Sequence, residues 1–478
     1  MAFRTETDSL GPVQVPADAY WGAQTQRAVE NFPISGVKMP RRFIRALLLI
    51  KKAWAQVNLE MKLLDPQIAG AIIQAADEIA GALANSSAGT EAGATGEKWV
   101  AQFPVDIFQT GSATSTNMNA NEVLANRAIE ILGGQKGSKK PVHPNDHCNK
   151  SQSSNDIIPT ALHVAAMDAL QNDLLPALKH LHAALAEKTR EFDSIVKIGR
   201  THLMDAVPLR LGQEFSGYAS QLEHAIARAE AIKPHLSELA LGGTAVGTGL
   251  NADPALPPIV IAKLSAEMKL PLRQAPNLFE ALAARDAAVE ASGALKTIAC
   301  SLTKIANDIR LLGSGPRCGI GELLLPDLQP GSSIMPGKVN PVMPEMLTMV
   351  CAQVIGADAA ITVGGMQGHF ELNVFKPLIA HNLLFSMQIL SNGCRAFADK
   401  CVKGLQANKD RCEELIEKSL MMCTALAPKI GYDAAAKLAQ EAYKTGKTVR
   451  QLAEEKNLLP KDELNQLLDA RKMTEPGA

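Results

Sequence analysis

The apolar positions of this chain fall into helical stripes separated by short polar breaks rich in Gly and Pro. Leu170, Leu174, Leu178, Leu181 and Leu185 follow one another at three- and four-residue steps, which puts them on one face of a helix. Phe215, Tyr218, Leu222, Ile226 and Ala229 repeat the pattern, and Leu295, Ile298, Leu302, Ile305, Ile309 and Leu312 sustain it over about five turns. Further apolar helices are expected from about Glu345 to Ile361 and from Pro377 to about Leu390. Helices this long and regular bundle nearly parallel or antiparallel. An all-α fold follows, in three parts: a mainly helical N-terminal domain over 1–150, a central long-helix bundle over 151–408, and a small helical C-terminal domain over 409–478. Within the last, Gly431-Tyr432-Asp433 reads as a turn, with helices near Ala434 to Lys444 and from Val449 to Glu455, and 471–478 reads as a frayed tail. Ala294, Ala299 and many other alanines allow the long helices to pack on more than one face, which suggests a bundle completed by other subunits.

Composition narrows the function. Aromatic residues make up only 4% of the 478 residues, which favours close-packed helices over a strand-rich sandwich. Forty-eight Lys plus Arg against 49 Asp plus Glu give a formal charge of -1, and no arm carries a long like-charge run. Nucleic-acid and membrane partners are therefore not expected. The opening Met1 to Ser9 has no apolar run, and no later stretch reaches about 18 uninterrupted apolar residues, so a cytoplasmic location is expected. Eight cysteines with no C-x-x-C spacing read mostly as small buried hydrophobes, not as a disulfide framework or metal site. No cofactor and no metal are expected.

The chemistry concentrates in loops. Gly331-Ser332-Ser333-Ile334-Met335-Pro336-Gly337-Lys338-Val339-Asn340-Pro341 crowds hydroxyls, a lysine and an amide into one connection, with Glu345 just beyond. Lys338 and Asn340 could hold a carboxylate, and consecutive backbone N–H groups could stabilise a serine alkoxide. His202, in Gly199-Arg200-Thr201-His202, could move protons near neutral pH if a carboxylate fixed its tautomer, with Glu345 as a candidate. Short donors gather again in Gly111-Ser112-Ala113-Thr114 and in Ser151-Gln152-Ser153-Ser154-Asn155-Asp156, where helix capping competes with ligand binding. His143 and His147 are four apart, but Pro144 between them makes a helical metal pair unconvincing. Gly242-Gly243-Thr244-Ala245-Val246-Gly247-Thr248-Gly249 lacks the ending of a P-loop and reads as a tight packed turn.

Together these runs resemble the fumarase/aspartase superfamily, most closely its class II, iron-independent fumarate hydratases. The resemblance covers nearly the whole chain, including Tyr20 to Thr25, Val142 to Asn155, Gly199 to Glu214, Gly242 to Asn251, Ser314 to Arg317, Gly331 to Asn340 and Phe370 to Pro377. It implies a homotetramer whose active sites each draw on three subunits, and reversible anti addition of water to fumarate through a carbanion or aci-carboxylate. By resemblance Ser332 is the base on a mobile loop, and His202 with Glu345 orders water or moves a proton. Ser112, Thr114, Ser153, Ser154, Asn155, Thr201, Lys338 and Asn340 would contact the small dicarboxylate. His143, Asn145 and Asp146 match a secondary dicarboxylate site, with Lys140 where the family has an arginine, which loses a bidentate fork.

The nearest rival within the superfamily is aspartate ammonia-lyase. Thr114-Ser115-Thr116-Asn117 and Val342-Met343-Pro344 lean towards it. Thr201-His202, Gly337, His143 to Asp146 and Phe370 to Pro377 take the hydratase form, which favours water over ammonia as the leaving group.

Overall fold

The computed structural model describes residues 2–84 and 91–477. Helices dominate, and the stripes read from the sequence are their buried faces. Leu170, Leu174, Leu178, Leu181 and Leu185 are all fully buried, as are Ile298, Leu302, Ile305 and Ile309, each such side chain contributing about 1.5–3 kcal/mol of transfer free energy. The expected apolar helices run longer than the sequence suggested, over Val342–Gly365 and Lys376–Lys400.

The chain divides into two compact units, each assembled from three stretches. The first comprises Met1–Leu175, Arg228–Thr297 and Ala352–Leu390. Here helix Arg41–Glu60 packs against Pro66–Ala84, Ser154–Ala169 and Leu256–Met268, and Pro66–Ala84 also packs against Thr114–Ile131. An antiparallel hairpin, Phe3–Asp8 with Gly11–Pro16, precedes them. The buried Glu122 carboxylate then gathers the backbone N–H groups of Gly22 (2.8 Å), Gln24 (2.9 Å) and Thr25 (3.1 Å), which anchors the Tyr20 to Thr25 run.

The second unit comprises Pro176–Ala227, Ile298–Cys351 and Ser391–Ala478. Its C-terminal part has a core of its own, built from Ile416, Leu426, Leu438, Leu452 and Leu464 among others. The helix Val449–Glu455 lies where the sequence placed it, and Tyr432–Thr445 begins two residues earlier than expected. Residues 471–477 are docked and not frayed, Ala478 lying outside the described residues: Thr474 is buried, Arg210 Nη1 donates to its Oγ1 at 3.0 Å, and Gln213 Nε2 donates to its carbonyl at 3.0 Å. A docked end needs side-chain partners elsewhere in the chain, and local pattern does not reveal those.

Helical periodicity also overlooked small sheets. Among the described residues there are five two-stranded sheets, of which Val196–Thr201 with Met204–Arg210 carries Thr201 and has His202 in its turn. In Val342–Gly365, Leu347, Cys351, Val354, Ala357 and Ile361 are buried, whereas Met349 is 67% and Val363 52% exposed. By length and composition this is the one helix among the described residues apolar enough to cross a membrane. Glu345 and Asp358 lie within it, so it is not an uninterrupted apolar run.

Candidate active site

In the first unit, donors converge on the start of helix Ser154–Ala169. Ser153 is its N-cap, and its Oγ accepts from Asn155 N at 3.2 Å, while Ser153 N donates to Asp156 Oδ1 at 3.0 Å. Pro159 lies inside this helix and has no N–H, so the carbonyl of Asn155 loses its helical donor. Lys376 supplies the replacement, its Nζ donating to Asn155 O at 3.2 Å. The other side of Asn155 is fixed as well, by Nδ2 donating to Ala245 O at 2.8 Å. Ser154 Oγ accepts from Asn117 Nδ2 at 2.8 Å.

The Gly242 to Gly249 run is the tight turn expected, and its purpose is internal. Gly242 N and Thr244 N both donate to Asp156 Oδ2 at 3.1 Å. Gly242 has φ +97°, and a Cβ there would lie 2.5 Å from Pro257 Cγ, so only glycine fits. The amides that might have cradled a phosphate hold a buried carboxylate instead.

Ser112 and Thr114 stand on the adjoining turn, their hydroxyls 2.8 Å apart. Ala113 between them is left-handed at φ 59° and forms the N-cap of helix Thr114–Ile131. Lys376 N donates to Gly111 O at 3.1 Å, so the same lysine ties this turn to Asn155. Burial pushes Lys376 down to about 6, with Arg285 adding to the shift and Asp156 opposing it. Burial pushes Asp156 up to about 6 against the pull of its backbone donors.

In the second unit, Gly331 N donates to Lys338 O at 2.7 Å and Asn340 Nδ2 donates to Gly331 O at 2.6 Å, closing the loop on itself. Lys338 Nζ donates to Asn340 Oδ1. Ser332 Oγ accepts from Ile334 N at 3.2 Å and Met335 N at 2.9 Å. Two such donors favour negative charge on the oxygen they face. Ser332 and Lys338 line the same cleft of about 430 Å³, with Asp327 and Gln329.

Thr201, His202 and Leu203 are exposed at the tip of the Val196–Thr201/Met204–Arg210 hairpin. His202 (φ 57°) and Leu203 (φ 61°) are both left-handed, the geometry of a two-residue type I′ turn that normally selects Asn-Gly. Bulky side chains there cost about 1–2 kcal/mol each, and strain of this kind concentrates at functional sites. Glu345 lies in the first turn of Val342–Gly365. Among the described residues, no hydrogen bond or ion pair joins His202 to Glu345 within the chain.

At the secondary locus, His143 Nδ1 accepts from Asn145 N at 3.3 Å and Asp146 N at 3.2 Å. Asp146 Oδ2 is also 3.3 Å from Nδ1. An accepting Nδ1 has no proton to give, so that approach is not a hydrogen bond, and the neutral ring's proton sits on Nε2. His147 Nδ1 accepts from His143 N at 2.8 Å, and burial lowers its pKa. Lys140 is exposed. Among the described residues, no group of His, Cys, Asp and Glu has the geometry of a metal site.

Three buried charged residues that hold these loops were not singled out by the sequence reading. Lys376 was signalled by a lone lysine between Phe375 and Pro377, and Asp156 by an acid three residues after a capping serine. Glu322, fully buried against Arg200, left no local mark.

Known proteins resemble this chain along its whole length. Residues 11–356 match a family described as lyase, and 422–475 match the fumarase C C-terminus. Fumarate hydratase class II 2 of Bradyrhizobium diazoefficiens is 53% identical over 476 residues, covering 100% of this chain and 98% of that one. The class II fumarate hydratase of Ralstonia nicotianae is 55% identical, covering 95% of each chain. The crystal structure of a class II fumarase from Schistosoma mansoni superposes with a TM-score of 0.93 at 41% identity, covering all of both chains.

Proposed function

The chain belongs to the class II fumarate hydratase family, and from that premise we propose that it catalyses the reversible anti hydration of fumarate to (S)-malate. The observation that carries the mechanism is Ser332, whose Oγ already accepts two backbone N–H groups. In the malate-to-fumarate direction, Ser332 as alkoxide takes a C3 proton. The electron pair spreads onto the adjacent carboxylate as an aci-carboxylate, and hydroxide leaves C2. The demanding step is the second negative charge on that carboxylate, which Lys338 and Asn340 stabilise most when they are fixed before it develops. His202, oriented by Glu345, delivers the proton to the leaving hydroxyl through water.

Thr201, Ser112, Thr114, Ser153, Ser154 and Asn155 hold the diacid, and Lys140, His143, Asn145 and Asp146 form a weaker secondary dicarboxylate site. The site is completed in a homotetramer, with each site drawing on three chains. The missing contact between His202 and Glu345 within one chain supports that reading, as do the exposed faces of Leu203, Met204, Met349 and Val363. A cytoplasmic location and the three-part organisation 1–150, 151–408 and 409–478 belong to the same proposal. Assaying fumarate in water alone and then with ammonium tests the reaction. Malate in both is expected, and aspartate formed only with ammonium, without malate, would transfer the chain to the ammonia-lyase reading.

A further inference from the structure

Within one chain, the tip of the hairpin that presents His202 is poorly held by packing. Residues 201–205 are all exposed, both turn residues are left-handed, and a cavity of about 490 Å³ lies beside it, lined by Lys197, Arg200, Thr201, Leu203, Glu214 and Lys304 among others. Among the described residues, one side chain between 199 and 205 makes a hydrogen bond or ion pair. It is Arg200, two residues before His202.

Its partner is Glu322. Arg200 Nη1 lies 2.8 Å from Glu322 Oε2, and Nη2 lies 3.1 Å from Oε1, a bidentate fork. The Glu322 side chain is 0% exposed, and Lys197 Nζ, itself 2% exposed, reaches it at 3.4 Å and Glu214 at 2.8 Å. In a flat strand, residues three apart point to opposite faces. Here the pairing slips between Ile198 and Arg200, where Gly199 alone faces Ala206 and Val207 on the other strand. The extra residue bends the facing strand and increases the local twist of the ribbon, and Lys197 and Arg200 both meet Glu322. Gly199 is needed at that point, because a Cβ would lie 2.7 Å from Val207 O.

Glu322 is fixed in turn. Its N–H donates to Leu312 O at 2.9 Å, and its carbonyl accepts from Asn408 N at 2.9 Å. A buried carboxylate held at both its backbone groups therefore grips the base of an exposed and strained hairpin tip.

We infer that Glu322 is a positioning residue: acting through Arg200, it fixes where the hairpin presents the His202 imidazole. This rests on the role proposed for His202, and a double-mutant cycle separates the two ideas. His202→Asn, Glu322→Gln and the double variant are assayed for fumarate hydration as assembled protein. Glu322→Gln lowers kcat about 10- to 100-fold, the effect of misplacing a reacting group by about 1 Å, while KM stays within about threefold. In the His202→Asn background the same change costs less than about threefold, because the group it positions is gone. Arg200→Lys, which keeps the charge and loses the fork, reproduces the kcat loss even if Glu322→Gln assembles poorly. Equal losses in both backgrounds, or near-parental kcat in Glu322→Gln and Arg200→Lys, overturn the inference while His202 keeps its role. Full turnover in His202→Asn removes that role, and the inference falls with it.

Discussion

Gly111→Ala is the sharpest probe of the first-unit cradle. A Cβ built at Gly111 would lie 1.8 Å from Val374 O and 2.6 Å from its carbonyl carbon. Ordinary contact begins at 3.4 Å, so the turn or the opposing backbone must shift by roughly 1.6 Å, the difference of those two distances, a strain comparable to core overpacking at about 1–3 kcal/mol. Neither side can yield by a rotamer change, because the atoms in the way are backbone. The shift also strains the 3.1 Å bond from Lys376 N to Gly111 O, and it carries Ser112 and Thr114 with it. Misplacement by about 1 Å costs on the order of a hundredfold, so kcat/KM for fumarate is expected to fall at least that far, read from the loss of fumarate ultraviolet absorbance. Gly70→Ala is the control. Gly70 is an exposed position in helix Pro66–Ala84 with nothing within 4 Å of an added Cβ, so it should gain about 1 kcal/mol of stability at parental activity. A Gly111→Ala protein with kcat/KM within about threefold of the parent would refute the reasoning.

Ser332→Ala is expected to lower kcat about 10²- to 10⁴-fold, the range for losing a proton-transfer group, with assembly unchanged by light scattering; near-normal turnover removes Ser332 as the base. Mixing that variant with His202→Asn and re-assembling the two should restore part of the activity, since sites built from several chains regain an intact set in hybrids; no recovery above the separate variants argues for sites within one chain. Lys376 gives a pH signature. Its pKa falls from 10.5 in the unfolded chain to about 6 when folded, so between those values the unfolded chain holds the extra proton and the native state gains stability as pH rises, by at most about 1.4 kcal/mol per pH unit. The melting temperature of Lys376→Met minus that of the parent should therefore be greatest near pH 6 and shrink towards pH 10, and a constant difference would contradict the assigned burial.

The long helices were readable because burial imposes a period on the sequence, as the fully buried Leu170 to Leu185 stripe shows. The hairpin at His202 was not, because its turn uses His-Leu where a type I′ turn ordinarily signals itself with Asn-Gly. The Gly331 to Asn340 loop was legible as chemistry, since its donors are contiguous. Its closure through Asn340 Nδ2 and Gly331 O needed coordinates. The buried groups were hardest. Lys376 meets Asn155 across 221 residues, and Glu322 meets Arg200 across 122; separations of that size leave no trace in a local pattern. Pro159 could have hinted at the first, because a proline inside a helix always leaves a carbonyl to be satisfied.

The central claim is stereospecific hydration with a single positioned base, and proton NMR of fumarate incubated with the protein in D2O tests it most directly. The expected product is (S)-malate carrying one deuterium at C3, placed anti to the added oxygen. Absence of malate, or deuterium distributed over both C3 positions at early times, would contradict it.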